Sequence, residues 1–201
     1  GSSVVGHPTD RQVFWFGHSS GGLWKTEDAG TYWQPVGQGQ FRYASVGAIA
    51  LHEKNPDIMY VGLGEPQMRQ SASWGDGVYK TTDGGASWRS QAQGLPGRQV
   101  YALAVSPEMV YAATRLGVWG SSDGGETWTH LTSAHPEIRK VTSLLVDPED
   151  SSRIFAGTWR RAYRSDDGGN TWTLTIRTPF LPPGRIWSSL PGAGTPWRPC
   201  G

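Results

Sequence analysis

The sequence predicts an all-β fold, a β-propeller of four-stranded antiparallel blades, four of which are present. Three observations lead to this prediction. One motif occurs four times, each copy follows a set of short apolar runs, and no window shows a helical period. The motif reads Ser/Thr-x-Asp-x-Gly-x-x-Trp, and we call each copy a box. The defining box residues are Asp28, Gly30 and Trp33; Asp83, Gly85 and Trp88; Asp123, Gly125 and Trp128; and Asp167, Gly169 and Trp172.

Short apolar and aromatic runs before each box predict the first three strands of a blade. In the second unit they are residues 47–51, residues 58–62 and an aromatic strand around Tyr79. The runs are about five residues long and are bounded by Gly, Pro, Asp and Asn, which is typical of strands joined by hairpins. The box Trp begins a fourth, outer strand. We place the units at residues 3–36, 45–92, 99–132 and 140–175.

We interpret the box as a turn device. Its Asp can accept hydrogen bonds from backbone N–H groups two residues further on, and its Gly supplies a positive φ without a steric penalty. Its Trp can bury a large ring between neighbouring sheets. The alternatives are that the Asp residues are catalytic or bind calcium. Four equivalent copies argue against one active site, and the ligands of an EF-hand loop are missing.

The boxes resemble the Asp-box, or bacterial neuraminidase repeat, of sialidases, sortilin-type receptors and xyloglucan-degrading enzymes, over residues 3–175. The first two units resemble bacterial sortilin-like propellers that are labelled glycosyl hydrolases, chiefly over residues 64–80. The last two units resemble equally well the propellers of photosystem II assembly factors. The resemblance implies a ligand-binding face away from the boxes, and export to the periplasm or the cell exterior. The residues themselves indicate no localisation.

Strand order independently separates the boxes from the loops that differ between units. In a four-stranded meander, the loops after strands one and three emerge at one end, and the loops after strand two and between blades emerge at the other. Loops on a rigid scaffold commonly carry recognition. The candidate ligand-binding residues at this second end are His18, Arg42, Glu65, Arg69, Trp74, Arg115, Trp159 and Arg160. Such a mixture suits sugars or polar peptides. Ordinary loop variation, with a local Glu65–Arg69 ion pair, is the alternative.

The sequence assigns no catalytic residue. Glycoside hydrolysis needs two carboxylates at a defined separation, and the weak candidates are Glu65 and Asp76, which share the loop at residues 64–77. Residues 17–21 match the G-x-S-x-G nucleophile elbow, but residues 22–26 align with the third strands of the other units instead of forming a helix. We therefore expect a non-catalytic module that binds a glycan or a protein. An incomplete glycoside hydrolase module is the alternative, so the question of enzymatic activity stays open.

Composition narrows the range of partners. The 201 residues carry a net charge of +1 without a basic run, so we expect no nucleic-acid partner. No apolar stretch approaches the ~20 residues of a membrane span. The His residues lack zinc-site spacing and no cofactor motif is complete, so neither a metal nor a cofactor is expected. Cys200 is the one cysteine and cannot form an internal disulfide.

Four units are fewer than this type of repeat usually has. Asp-box propellers usually close with about six or more blades, which would need roughly 270 residues. We expect a fragment of a longer propeller; the alternatives are closure with four blades or completion by oligomerisation. Open blade edges and half-buried apolar faces predict self-association. Residues 176–201 lack the repeat and are rich in Pro and Gly, so we expect an irregular, truncated tail.

Overall fold

The structure is a computed structural model and describes residues 3–65, 74–96 and 99–175. These described residues form sixteen strands and no helix. The strands make four sheets of four strands each, and consecutive strands are antiparallel neighbours in every sheet. The predicted all-β fold with four-stranded blades is therefore confirmed. No helix that could cross a lipid bilayer occurs in this part of the chain, and residues 176–201 lie outside it.

The strands follow one another in chain order, four to a blade. The first blade contains β1 (Ser3–Gly6), β2 (Phe14–His18), β3 (Gly22–Thr26) and β4 (Gln34–Val36). The second contains β5 (Val46–Leu51), β6 (Met59–Leu63), β7 (Val78–Thr81) and β8 (Arg89–Ser90). The third contains β9 (Val100–Val105), β10 (Val110–Thr114), β11 (Gly117–Ser121) and β12 (Thr129–His130). The fourth contains β13 (Val141–Val146), β14 (Ile154–Thr158), β15 (Ala162–Ser165) and β16 (Thr173–Leu174).

Each blade has two distinct faces because successive side chains of a strand point to opposite sides. In the first blade, Val4 pairs with Phe16 and Phe16 with Trp24, all on one face. Their neighbours Val5 and Trp15 point to the other side. We call the face that carries the box Trp the leading face and the opposite one the trailing face. These two kinds of face meet wherever one blade packs against the next.

All four boxes fold into the same hydrogen-bonded corner. In the second box the Ser87 N–H donates to Asp83 Oδ1 at 2.8 Å, and the Thr81 hydroxyl donates to the same oxygen at 2.6 Å. The carboxylate thus serves an N–H four residues further on. The N–H two residues on, that of Gly85, donates instead to Thr81 Oγ1 at 3.0 Å, so the expected partner was wrong.

The left-handed backbone expected at the box glycines is present. Gly30, Gly85, Gly125 and Gly169 have φ values of 95°, 99°, 98° and 97°. The residue before each glycine is also left-handed. In three boxes that residue is another Gly, but in the first box it is Ala29, with a φ of 59°.

Three apolar clusters fill the spaces between consecutive blades. In each, the leading face of one blade packs on the trailing face of the blade before it. Close approach depends on small residues: a Cβ added to Gly17 would lie 2.5 Å from Cγ1 of Val46, and one added to Gly62 would lie 2.6 Å from Cγ1 of Val100. The second and third blades are covered on both faces, so β6, β10 and β11 are buried throughout.

Candidate functional site

Backbone hydrogen bonds place the variable loops at the end opposite the boxes, as strand order predicts. At the box end, Ala29 N–H donates to the Gln12 carbonyl in the β1–β2 turn at 2.9 Å. At the other end, Gly22 N–H donates to the carbonyl of Ala44 at 2.8 Å, and Lys140 N–H donates to that of Arg115 at 2.9 Å. The loops between the second and third strands of the blades, and the linker residues that lead into the next blade, therefore form one surface. We call this surface the loop face.

The linker between the first two blades is anchored to the second blade. The Gln40 side-chain amide donates to the Ala86 carbonyl at 3.1 Å and accepts from Trp88 N–H at 2.8 Å. The Phe41 ring packs edge-on against Tyr79 and Trp88, with centroids 5.3 and 5.2 Å away. These contacts hold the linker in place, while the next residue, the candidate Arg42, is exposed at the surface.

The two candidate carboxylates occupy different surroundings. Glu65 lies just beyond β6 and is only 3% exposed, so its carboxylate is not displayed to solvent. Asp76 is half-buried, and its Oδ2 accepts a hydrogen bond from the Tyr79 hydroxyl at 3.0 Å. Its other oxygen is buried without a hydrogen-bond partner among the described residues. Burial, reinforced by the hydrogen bond to Asp76, raises the pKa of Tyr79.

Two tryptophans project from the loop face into solvent. Trp74 in the second blade is 64% exposed, and Trp159 in the fourth is 65% exposed. The loop that carries Trp159 is held in shape by Thr158, whose hydroxyl donates to the Arg161 carbonyl at 2.9 Å and accepts from Arg161 N–H at 3.1 Å. Arg160, beside Trp159, is exposed as well. The loop is thus ordered although its aromatic side chain is uncovered.

The third blade contributes an exposed Arg and a buried phenol. Arg115 is exposed in the β10–β11 loop. Burial raises the pKa of Tyr101 near the start of β9, and the charge of Arg115 opposes that rise. The Tyr101 hydroxyl donates to Gln99 Oε1 at 3.4 Å. Gln99 and Tyr101 were not predicted from the sequence. The order of the strands could have identified them, because β9 is the first strand of its blade and begins at the loop face.

The remaining candidates lie apart from this group or beyond the described residues. His18 is exposed, and its Nδ1 accepts from Ser20 N–H at 3.1 Å. Its ring borders a concavity on the leading face of the first blade. Arg69 lies outside the described residues. No group of three or more His, Cys, Asp or Glu side chains suited to holding a metal ion occurs in residues 3–65, 74–96 and 99–175.

Curated relatives of the chain are xyloglucanases, at low identity. A probable oligoxyloglucan-reducing end-specific xyloglucanase of Neosartorya fischeri is 21% identical over 216 aligned positions, covering 98% of this chain and 24% of the relative. A xyloglucanase of a Paenibacillus species is 28% identical over 149 positions, covering 65% of this chain and 14% of the relative. The chain thus spans about a quarter or less of the length of these relatives. No family model matches it.

Solved structures with the same fold include a xyloglucanase and a protein bound to a peptide. The GH74 xyloglucanase from Xanthomonas campestris superposes with a TM-score of 0.68 and 18% identity, over 88% of this chain and 30% of that one. YCF48 bound to D1 peptide gives a TM-score of 0.59 and 18% identity, over 86% of this chain and 53% of that one. Together with the strand topology, these likenesses show that the four sheets of this chain are β-propeller blades.

Proposed function

We propose that the chain is a non-catalytic propeller module that binds a glycan of the xyloglucan type through its loop face. The observation that carries the proposal is the pair of exposed tryptophans, Trp74 and Trp159, on different blades at one end of the propeller. Indole rings offer a flat apolar surface with a polar N–H, and the C–H faces of sugar rings stack well on such a surface. The xyloglucanase relatives supply the glycan class.

The polar surroundings of the tryptophans support this proposal. Arg115 and Arg160 are exposed in loops that follow second strands, and Arg42 is exposed in the linker between the first two blades. Each can donate several hydrogen bonds to sugar hydroxyls. The linkers and loops are tied to the blades by backbone hydrogen bonds, as at Gly22 and Lys140. A surface held in place before binding loses less conformational entropy when a ligand binds.

Titration with xyloglucan oligosaccharides tests the proposal. We expect saturable heat release or quenching of Trp fluorescence in the wild type, and about tenfold weaker binding, or about 1.4 kcal/mol, for Trp74→Ala and Trp159→Ala. Tyr32→Ala is the matched control, because Tyr32 is an equally exposed aromatic residue at the box end. Absence of binding, or an equal loss in the Tyr32 variant, would contradict the proposal.

A glycoside hydrolase module is the second candidate, and the enzymatic relatives favour it. Glu65 and Asp76 are the carboxylates of the second blade that could act as acid and base. Release of reducing ends from xyloglucan by the wild type, abolished in both Glu65→Gln and Asp76→Asn, would establish hydrolysis. Binding without any such release would support the module as a glycan binder.

A peptide ligand is the remaining alternative, and the likeness to peptide-bound YCF48 favours it.

We further propose that the four boxes are Asp-box repeats of the kind found in sialidases and sortilin-type receptors, because all four share one hydrogen-bonded corner. The blades at residues 3–36, 45–92, 99–132 and 140–175 would then be a run from a longer propeller.

A further inference from the structure

The negative charges of the chain are concentrated at the box end of the blades. All 17 Asp and Glu residues except Glu65, Asp76 and Glu137 lie in the boxes or in the turns between the first and second strands of a blade. Backbone bonds join these two sets of segments, as where Gly84 N–H donates to the Asp57 carbonyl at 3.0 Å. Glu65 is buried and Asp76 is half-buried, so Glu137 is the one exposed carboxylate among the described residues of the loop face.

Five exposed cationic side chains lie on the loop face of the third and fourth blades. They come from the loop between β10 and β11, the linker that leads into β13, and the loop between β14 and β15. Backbone contacts join these segments, because Lys140 bonds to Arg115, Val141 pairs with Thr158, and Thr158 N–H donates to the Arg161 carbonyl at 2.8 Å. We call the five residues the basic cluster: Arg115, Arg139, Lys140, Arg160 and Arg161.

The charges of the basic cluster are not neutralised by the described part of the chain. None of its five side chains forms an ion pair there, whereas Lys25, Arg153 and Arg164 all pair with carboxylates of the box end. Glu137 instead bonds to His135 at 3.3 Å. A hydrogen bond from its own backbone N–H is the main cause of the lowered pKa of Glu137, and the charge of Arg161 adds to it. An excess of positive charge therefore faces solvent.

The backbone of Lys140 is left-handed, with a φ of 53°. This conformation is unfavourable for a residue with a Cβ and is usually taken by Gly or Asn. Lys140 directly precedes β13, and its bond to the Arg115 carbonyl holds it in place. A non-Gly residue in a strained conformation on a candidate binding surface suggests a role for its side chain. Here the side chain supplies one of the five positive charges.

An exposed indole adjoins the basic cluster in sequence. Trp159 is 65% exposed and directly precedes Arg160 in the loop between β14 and β15. A sugar ring that carries a carboxylate suits both kinds of group, since its C–H face can stack on an indole and its carboxylate can accept paired N–H bonds from a guanidinium. The carboxylate of an acidic peptide lies on a flexible side chain that offers no ring for stacking. The combination favours an acidic glycan.

We propose that the basic cluster binds the carboxylates of a glycan that contains uronate residues beside neutral sugars, while Trp159 stacks on one of its rings. This inference rests on the proposed function, because it takes the loop face to be a glycan-binding surface, and it adds the charge of the ligand. Attraction between opposite charges at an exposed surface raises the rate of association and is screened by salt.

Titration with oligogalacturonate, compared with its methyl ester, tests the proposal. The two ligands have the same sugar rings, but esterification removes the carboxylate charges. We expect the full chain to bind the charged form about tenfold more tightly at low ionic strength, and to lose most of this preference in about 0.5 M salt. Calorimetry measures both affinities.

Substitutions in the basic cluster locate the binding. Lys140→Gly and Arg161→Gln should each weaken oligogalacturonate binding about fivefold, or about 1 kcal/mol. Gly suits the left-handed backbone at position 140, so a thermal melt should show no loss of stability in that variant. Ala29→Gly makes the same kind of backbone change at the box end, and Lys54→Gln removes an exposed cation there. Both controls should bind as the wild type does.

Several outcomes would overturn the inference. These are equal binding of the acid and its methyl ester, an equal loss in Lys54→Gln, and polyglutamate binding as tight as that of oligogalacturonate. Xyloglucan oligosaccharides judge the proposed function separately. Xyloglucan binding that is lost in Trp159→Ala, with no preference for the charged ligand, would overturn this inference alone. Oligogalacturonate binding with the expected variant effects, but without xyloglucan binding, would support it and contradict the xyloglucan type of the proposed ligand.

Discussion

The Tyr60 hydroxyl donates a hydrogen bond across a blade interface to the carbonyl oxygen of Gly124, at 3.2 Å. Tyr60 is almost fully buried, and removal of its hydroxyl leaves the Gly124 carbonyl without this donor. We expect Tyr60→Phe to lower the free energy of unfolding by about 1 kcal/mol, the net value of such a bond. Urea unfolding measures it. Tyr32→Phe, at an exposed tyrosine, should leave the midpoint unchanged.

The same tyrosine predicts a loss of stability in alkali. Burial, reinforced by the charge of Asp123, raises the pKa of Tyr60 from 10.0 to about 12. The folded protein therefore holds the Tyr60 proton more tightly than the unfolded chain does. The resulting contribution to the free energy of unfolding is complete below about pH 10 and is lost between about pH 10 and 12. Unfolding experiments across that range should show a smaller decline for Tyr60→Phe. An unchanged decline would refute this assignment.

The boxes predict a loss of stability in acid. Hydrogen bonds from the Ser87 hydroxyl, then from Thr81, lower the pKa of Asp83 from 3.8 to about 2. The Thr171 hydroxyl acts first among the causes that lower the pKa of Asp167 to about 2. The contribution of Asp83 and Asp167 to the free energy of unfolding is present above about pH 4 and is lost as the pH falls towards 2. Carboxyl NMR titration should place the Asp83 midpoint higher in Ser87→Ala, with Asp167 as the internal control.

The box tryptophans should differ in their contributions to stability. Trp128 is buried between the second and third blades, and its indole N–H donates to the Gln91 carbonyl at 2.8 Å. We expect Trp128→Ala to cost about 3–5 kcal/mol, as other buried aromatic truncations do. Trp33→Ala should cost much less, because that ring is half-buried. Asp123→Ala should also cost less than Trp128→Ala. Thermal melts at low protein concentration rank the three, and a reversed order would contradict the packing role of the box Trp.

Ala29 offers a stabilising substitution. It is the one non-Gly residue at the left-handed position before the box glycine, with a φ of 59°. Left-handed backbone costs a residue with a Cβ about 1–2 kcal/mol, and replacing Ala29 by Gly removes this strain from the folded state. Part of the gain is cancelled, because Gly also increases the conformational entropy of the unfolded chain. Ala29→Gly should therefore stabilise the protein by about 0.5 kcal/mol. Ala86→Gly, in the second box but not at that position, should be neutral or destabilising.

The sequence was sufficient to predict the strands and the two ends of the blades, because both follow from local periodicity and from the order of a meander. It was insufficient for contacts made over long sequence separations. Gln40 reaches Ala86 in the next box, across 46 residues, and no local pattern marks that contact. The burial of Glu65, just beyond β6, likewise has no signal in the local sequence. Such features require the three-dimensional arrangement of the blades.

A glycine of one blade lies against a valine of the next blade at two interfaces, Gly17 against Val46 and Gly62 against Val100. This pairing bears on how the repeat could change in length. The first strands of the second, third and fourth blades begin with a valine, at Val46, Val100 and Val141, and the second strands of the first three blades carry a small residue near their ends, at Gly17, Gly62 and Ala113. Duplication or deletion of one of the units that begins with a valine would therefore still set a small residue against a valine at the new seam.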